Sequence, residues 1–275
     1  MKPTILIDVF GREFVLKSYS LFMFIGAILV IVISIWNIKQ AGLSTKSSLL
    51  CFLSMIIGVL VGARLLNVLI NWDYYMINRE RIFAFNTSGF SLMGGLILAG
   101  ILGIISAKLL KLDFWKLGDS IAPGLGIGLI SMRIGCFLNG CCYGLPSKLP
   151  WSIKFPYNSF AHKYYLSKQD LNTEFSIFKS LASPSLHPTQ IYEMIGALIA
   201  TIVAIVIIRR KKNSGVAILS FSIIFTITRL INHFFRAHPE TNITPIWFYP
   251  IFYIVVIIIL LILLINRLKS SDIKT

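Results

Sequence analysis

"IAPGLGIGLISMRIGCFLNGCCYG" (residues 121–144) starts as an apolar, glycine-rich run and ends on an arginine, three cysteines and a tyrosine. A bilayer is crossed by about 20 apolar residues, and the run over 119–138 meets that length, with Arg133 near its far end. A charge inside a membrane span is costly and marks a functional site by default. Glycine lets backbone approach a ligand or a neighbouring helix closely, which gives Gly135, Gly140 and Gly144 a physical use beside that arginine.

Working outward, similar apolar runs recur near 18–36, 48–71, 90–110, 189–208, 215–235 and 247–266. Of the 275 residues, 56% are hydrophobic and 13% charged, where a soluble domain carries about a quarter charged residues. No strand alternation is sustained. The expected fold is an all-α membrane protein, a bundle of about seven transmembrane helices in one polytopic domain over 1–275. Residues 139–187 form the largest piece outside the spans. Too short for an independent domain, this turn-rich stretch, including "GLPSKLPWSIKFP", reads as an extracytoplasmic cap over the bundle's outer mouth.

The net charge is +15. The basic residues are scattered between apolar runs, so they read as inward-facing loops and contacts with anionic membrane lipids rather than as a nucleic-acid surface. "RRKK" (209–212) is the densest basic run and is expected on the cytoplasmic side. Seven spans then put the N-terminus outside and the C-terminus inside. Lys39 and Lys46, Lys108, Lys111 and Lys116, and the basic tail agree with that orientation. The first residues carry Asp8, Arg12 and Glu13 and do not read as a signal peptide.

Small residues four apart, at Gly58 and Gly62, at Gly95, Ala99 and Gly103, and at Gly124 and Gly128, predict tight helix packing. "GLGIG" (124–128) is not a nucleotide loop: it follows no strand and lacks the acidic partner of that fingerprint.

Ionisable residues in the spans select the candidate site. Arg229, His233 and Arg236 stand at i, i+4 and i+7, which on a helix makes one stripe. Two guanidiniums and an imidazole on one face suit an anion, since arginine forks match phosphate oxygens. "HPTQIYE" (187–193) opens a helix, with Pro188 expected at its first position. Gln190 and Glu193 then share a face. Glu193 reads as a base or as the counter-ion of Arg133 or Arg229. Arg64 is a further charge within a span. Cys136, Cys141 and Cys142 do not follow the usual zinc spacing. A disulfide fits better on an oxidising face, and inert packing stays open.

"SMRIGCFLNGCCYG" (131–144) is similar to the G-R-x-G-N-F-x-N-G-E-x-x-G signature of the bacterial prolipoprotein diacylglyceryl transferases, and "HPTQIYE" to their H-P-S-Q-L-Y-E. "DSIAP" (119–123), "SLMGGLI" (91–97) and "TRLINHFFR" (228–236) match further pieces in the same order, so the resemblance covers about residues 15–267. It implies a seven-span transferase of the bacterial inner membrane. Such an enzyme moves the diacylglyceryl group of phosphatidylglycerol to the lipobox cysteine of a preprolipoprotein, without metal or cofactor. Through it, Arg133, Arg236, Gly135, Asn139, Gly140, Gly144, His187 and Gln190 are expected to bind substrate. Arg229, His233, Glu193 and Tyr19 are expected to act in catalysis.

The departures fall on the same motifs. Cys136 stands where the family pattern has Asn, Cys141 where it has Glu, Met93 where it has a histidine, and His233 where it has an acid. Histidine suits proton transfer near neutral pH, so His233 or Glu193 is expected to activate the acceptor thiol. Other readings are a relative acting on another acceptor, a non-enzymatic phospholipid-binding protein, and a membrane thiol-redox protein.

Overall fold

A computed structural model of the chain describes residues 4–9, 12–82, 92–167, 182–211, 213–238 and 247–272. Most of these residues are helical: α1 Ser18–Gln40, α2 Thr45–Ile70, α3 Trp72–Ile77, α4 Leu92–Leu109, α5 Phe114–Asn139, α6 Phe160–Ser167, α7 Thr189–Arg209, α8 Val216–His233 and α9 Phe248–Asp272. Helices α1, α2, α5, α7, α8 and α9 are long and apolar enough to cross a membrane. The 18-residue α4 is a further apolar helix whose one charge is Lys108. A helix therefore stands at each expected span, and the protein is an all-α, multi-pass membrane protein.

Two local differences matter. Strands β1, Thr4–Val9, and β2, Arg12–Lys17, form an antiparallel hairpin with Thr4 opposite Lys17. Six residues in each strand are enough for a hairpin, and so short a pair leaves no sustained alternation to read. Helix α8 ends at His233, short of the expected 235. The helical stripe predicted for Arg229, His233 and Arg236 is thereby cut before its last member.

The chain forms two compact units, one of Met1–Ser34 with Ile121–Thr275, the other of Ile35–Ser120. In the second unit, α2 and α4 cross where Gly58 meets Ala99 and Gly62 meets Gly94. A Cβ on Gly58 would lie 2.7 Å from the Ala99 Cα. Close approach of this kind replaces the hydrophobic effect as the source of helix association in lipid. Arg64 also belongs here. Its Nε donates to the Ile82 carbonyl at 2.9 Å, another guanidinium nitrogen donates to the Arg81 carbonyl, and the group lies 5.3 Å from the Tyr75 ring centroid. The charge in α2 thus satisfies the carbonyls of the 3-10 turn Arg79–Ile82.

In the first unit, α1 packs on α5 through the expected glycines. A Cβ on Gly26 would lie 3.0 Å from the Gly128 carbonyl oxygen, and one on Gly124 3.0 Å from that of Val30. Helices α5, α7 and α8 meet at Ala122, Ala200, Ala204, Ala217 and Phe221, and α9 packs along α8. Large side chains such as Phe24, Ile199 and Ile258 remain exposed on the outer faces, as a lipid-facing surface requires. Between α5 and α7, Pro146 and Ile153 bridge to Leu186, and Pro156 to Ala182. Phe155, Leu186 and Ala161 are fully buried there beside Tyr143 and Ala237. This layer gives the loop that follows α5 a fixed backing.

Candidate active site

The first turns of α7 organise the site. Pro188 sits at the N-cap, one position before the expected one, so Thr189 is the first helical residue. The Thr189 hydroxyl donates to the Cys142 carbonyl and the Gln190 amide to the Cys141 carbonyl, both at 2.6 Å. The motif "HPTQIYE" therefore grips the backbone of the cysteine loop. One turn deeper, Glu193 is 2% exposed. Its Oε2 lies 2.5 Å from Arg133 Nε and its Oε1 2.7 Å from Arg229 Nη1. Asn232 donates to the same Oε1 at 2.8 Å and to the Thr189 carbonyl at 3.2 Å. Arg229 also donates to the Tyr253 hydroxyl at 3.3 Å. One carboxylate thus ties α5, α7 and α8 together as counter-ion to two guanidiniums, where the sequence left open which arginine it meets.

Arg133 and Arg229 then face a cavity of about 410 Å³ with Arg236, Tyr19, Asn139 and the three cysteines on its wall. Arg236 arrives by a different route from the predicted stripe. Beyond the end of α8 its backbone pairs with Gly144, so a turn rather than the helix delivers it. Among the described residues no carboxylate pairs with Arg236.

The glycines allow these approaches. A Cβ on Gly135 would lie 2.9 Å from Phe22 Cβ and 3.3 Å from Tyr19 Cα, so its absence lets α1 bring Tyr19 to the cavity. A Cβ on Gly144 would meet the His187 and Phe235 carbonyl oxygens at 2.5 and 2.8 Å. Gly140 takes a positive φ of 69° as the chain leaves α5.

Other expected site residues stand apart from this cavity. The His233 ring lies 4.4 Å from the His238 ring, tilted by 45°, and 6.0 Å from the Tyr249 ring. It is not on the arginine cavity's wall. The His187 ring is 5.0 Å from that of Phe235 and its Nδ1 lies 3.1 Å from the Tyr192 hydroxyl, to which Trp151 donates at 2.9 Å. His187 lines a separate apolar groove of about 460 Å³ with Trp151, Ile195, Ile199 and Ile231. The side chain of Met93 lies outside the described residues. Thr189 and Tyr253 were not singled out from the sequence. Thr189 lies inside the motif, whereas nothing local in α9 marks Tyr253.

All four cysteines are free thiols, with no disulfide among Cys136, Cys141 and Cys142, the pairing the sequence favours over a metal while leaving inert packing open. The Sγ atoms of Cys136, Cys141 and Cys142 lie within 4.8 Å of one another. Arg133 Nη1 is 3.7 Å from Cys136 Sγ. Cys142 holds a left-handed backbone with φ 58°, a conformation that costs a residue with a Cβ roughly 1–2 kcal/mol. Its thiol is held below the usual range, because the Cys136 and Cys141 thiols donate toward it and Arg236 and Arg133 add positive charge.

Three guanidiniums line one cavity, and the Glu193 carboxylate pairs with two of them. Residues 5–271 match the family model described as prolipoprotein diacylglyceryl transferase. The chain belongs to that family. It is similar to the phosphatidylglycerol–prolipoprotein diacylglyceryl transferase of Clostridium tetani, 27% identical over 244 residues that cover 89% of each chain. To the one from Clostridioides difficile it is 28% identical over 212 residues, 77% of this chain and 75% of the relative. Prolipoprotein diacylglyceryl transferase 2 of Clostridium perfringens is 27% identical over 238 residues, 86% of this chain and 85% of the relative. Within this transferase family, the two quoted motifs are the segments that here hold one another across the site.

Proposed function

We propose that this chain transfers the sn-1,2-diacylglyceryl group of phosphatidylglycerol to the lipobox cysteine thiol of a preprolipoprotein. The observation that carries the reading is the convergence of Arg133, Arg229 and Arg236 on one cavity, with Glu193 the one carboxylate paired with them among the described residues. Glu193 balances one guanidinium, and the remaining charge suits a phosphodiester, which arginine recognises by paired hydrogen bonds.

In the reaction the acceptor sulfur attacks C3 of the diacylglyceryl unit. The C–S bond forms as the C–O bond to phosphate breaks, and glycerol phosphate leaves with the electron pair. The guanidiniums stabilise charge that gathers on the leaving phosphate oxygen, the kind of fixed electrostatic complementarity that lowers barriers most. The thiol proton passes to a base or to water, and the arginine field favours the thiolate. Glu193 acts as the charge that positions Arg133 and Arg229, because both of its oxygens are already engaged. Tyr19 and Asn139 sit on the wall where the glyceryl hydroxyls would lie. The apolar groove beside α7 and α8 offers a place for acyl chains.

The basic loops support a bacterial plasma-membrane location with the N-terminus outside. Residues 139–187, and the cavity with them, would then face the outer leaflet, where an exported lipobox presents its thiol. The test is complementation of a bacterium depleted of its own transferase, with lipoprotein modification read by mass. Alongside it, glycerol phosphate release by the purified protein is measured. A well-expressed, folded protein that neither complements nor releases glycerol phosphate overturns the reading.

A further inference from the structure

We propose that Cys136, Cys141 and Cys142 form a binding site for one thiophilic metal ion, held by three thiolates. Their three Sγ atoms come from two backbone segments, the last turn of α5 and the loop beyond Gly140, yet all lie within 4.8 Å of one another. Metal–thiolate bonds of about 2.3 Å in a trigonal plane place the sulfurs about 4.0 Å apart. Small side-chain rotations close that difference.

The loop is already shaped for this. Gly140 and Cys142 both take positive φ, and Cys141 N donates to the Cys136 carbonyl at 3.1 Å. The carbonyls of Cys141 and Cys142 are held by Gln190 and Thr189 of α7. With the backbone fixed from one side, the thiols converge on the other. A left-handed non-glycine residue persists only where its surroundings enforce it, and such residues gather at ligand sites.

Donor chemistry selects the ion. Among the described residues the cavity wall offers three thiols, the Met132 thioether and no carboxylate or imidazole. Hard cations such as Mg(II) or Ca(II) need oxygen ligands, whereas thiolates select Zn(II) or Cu(I). Three thiolates with either ion leave a net negative complex, and Arg133 and Arg236 stand on the same wall to balance it. An odd number of thiols also argues against a purely structural disulfide, which would strand one of them. Cys51 takes no part: its thiol donates to the Gly103 carbonyl at 3.6 Å in the other unit. This inference does not depend on the transferase reading.

The full-length protein, purified in detergent under anaerobic reducing conditions and stripped with chelator, is titrated separately with Zn(II) and with Cu(I). Bound metal is counted by mass spectrometry after desalting, and Cd(II) serves as a probe of sulfur-to-metal charge transfer. One ion per chain is expected, lost in C136S and C142S and retained in C51S. The ion found in protein purified from cells before stripping identifies the resident class, since raw affinity does not. In the wild type, the ion should also protect three thiols from alkylation, counted by intact mass, which keeps the test valid if a serine variant misfolds. Substoichiometric metal, equal metal in the variants, thiols alkylated equally fast with and without ion, or a stable disulfide among the three in freshly extracted protein each overturns the proposal.

Discussion

Replacing Glu193 with Gln keeps the side chain's shape and one carbonyl acceptor but deletes the charge shared by two arginines. The side chains of Arg133 and Arg229 are 10% and 23% exposed, so neither can hand its charge fully to solvent. Breaking a buried ion pair by removing one partner costs about 3–5 kcal/mol. Arg229 keeps Tyr253 and is the more exposed of the two, which places the loss at the lower end, about 3 kcal/mol. For a chain of this size each kcal/mol moves the melting temperature by about 2–4 °C, so E193Q should melt about 6–12 °C lower in detergent. Tryptophan fluorescence during heating reads this directly. Pairing E193Q with Arg133→Met removes one of the stranded charges and should recover part of the loss, since residues in one network do not add. An E193Q variant that melts within about 1 °C of wild type, or a double variant whose losses simply add, would refute the triad as the tie between α5, α7 and α8.

Arg229→Ala should lower diacylglyceryl transfer by about 100-fold or more, in line with loss of one transition-state charge contact; Arg229→Lys should recover only part, because a point charge replaces a fork. His233→Ala should leave transfer within about threefold, since general acid–base residues are worth about 100-fold or more and the His233 ring meets His238 rather than the arginine cavity; a loss of that larger size in a folded variant would restore His233 to proton transfer. Gly62→Val should destabilise α2 against α4, because a side chain there runs into the Gly94 carbonyl; overpacking costs about 1–3 kcal/mol, measurable as a lower melting temperature. Burial, then the nearby Tyr164 and Tyr165 hydroxyls, push Tyr143 up from 10.0 to about 12. The native state then holds this proton where the unfolded chain releases it, so stability should fall as pH rises from about 10 toward 12, and Tyr143→Phe should flatten that fall.

Sequence alone determined the class and the raw material of the site. Apolar length is a local, additive property, so spans could be counted from composition, and α1, α2, α4, α5, α7, α8 and α9 stand where the runs placed them. Helical spacing likewise put Gln190 and Glu193 on one face, and both are buried. The N-terminal hairpin escaped because its two strands are each six residues long. Periodicity speaks only within one helix, and the site is made between helices. Glu193 meets Arg133 and Arg229 across separations of 60 and 36 residues, and no local pattern says which arginine a carboxylate will find.

The helix end at His233 decided more than the stripe did. It sent Arg236 to the cavity through a turn against Gly144, while His233 turned to His238. The cysteines show the same division. Their spacing in "RIGCFLNGCCYG" matches no usual metal pattern, yet a left-handed turn clamped by Thr189 and Gln190 brings three sulfurs together. The chain's chemistry was written in its residue types. Which charges and thiols share one small volume was settled by tertiary packing, because that depends on how close glycine lets the helices come.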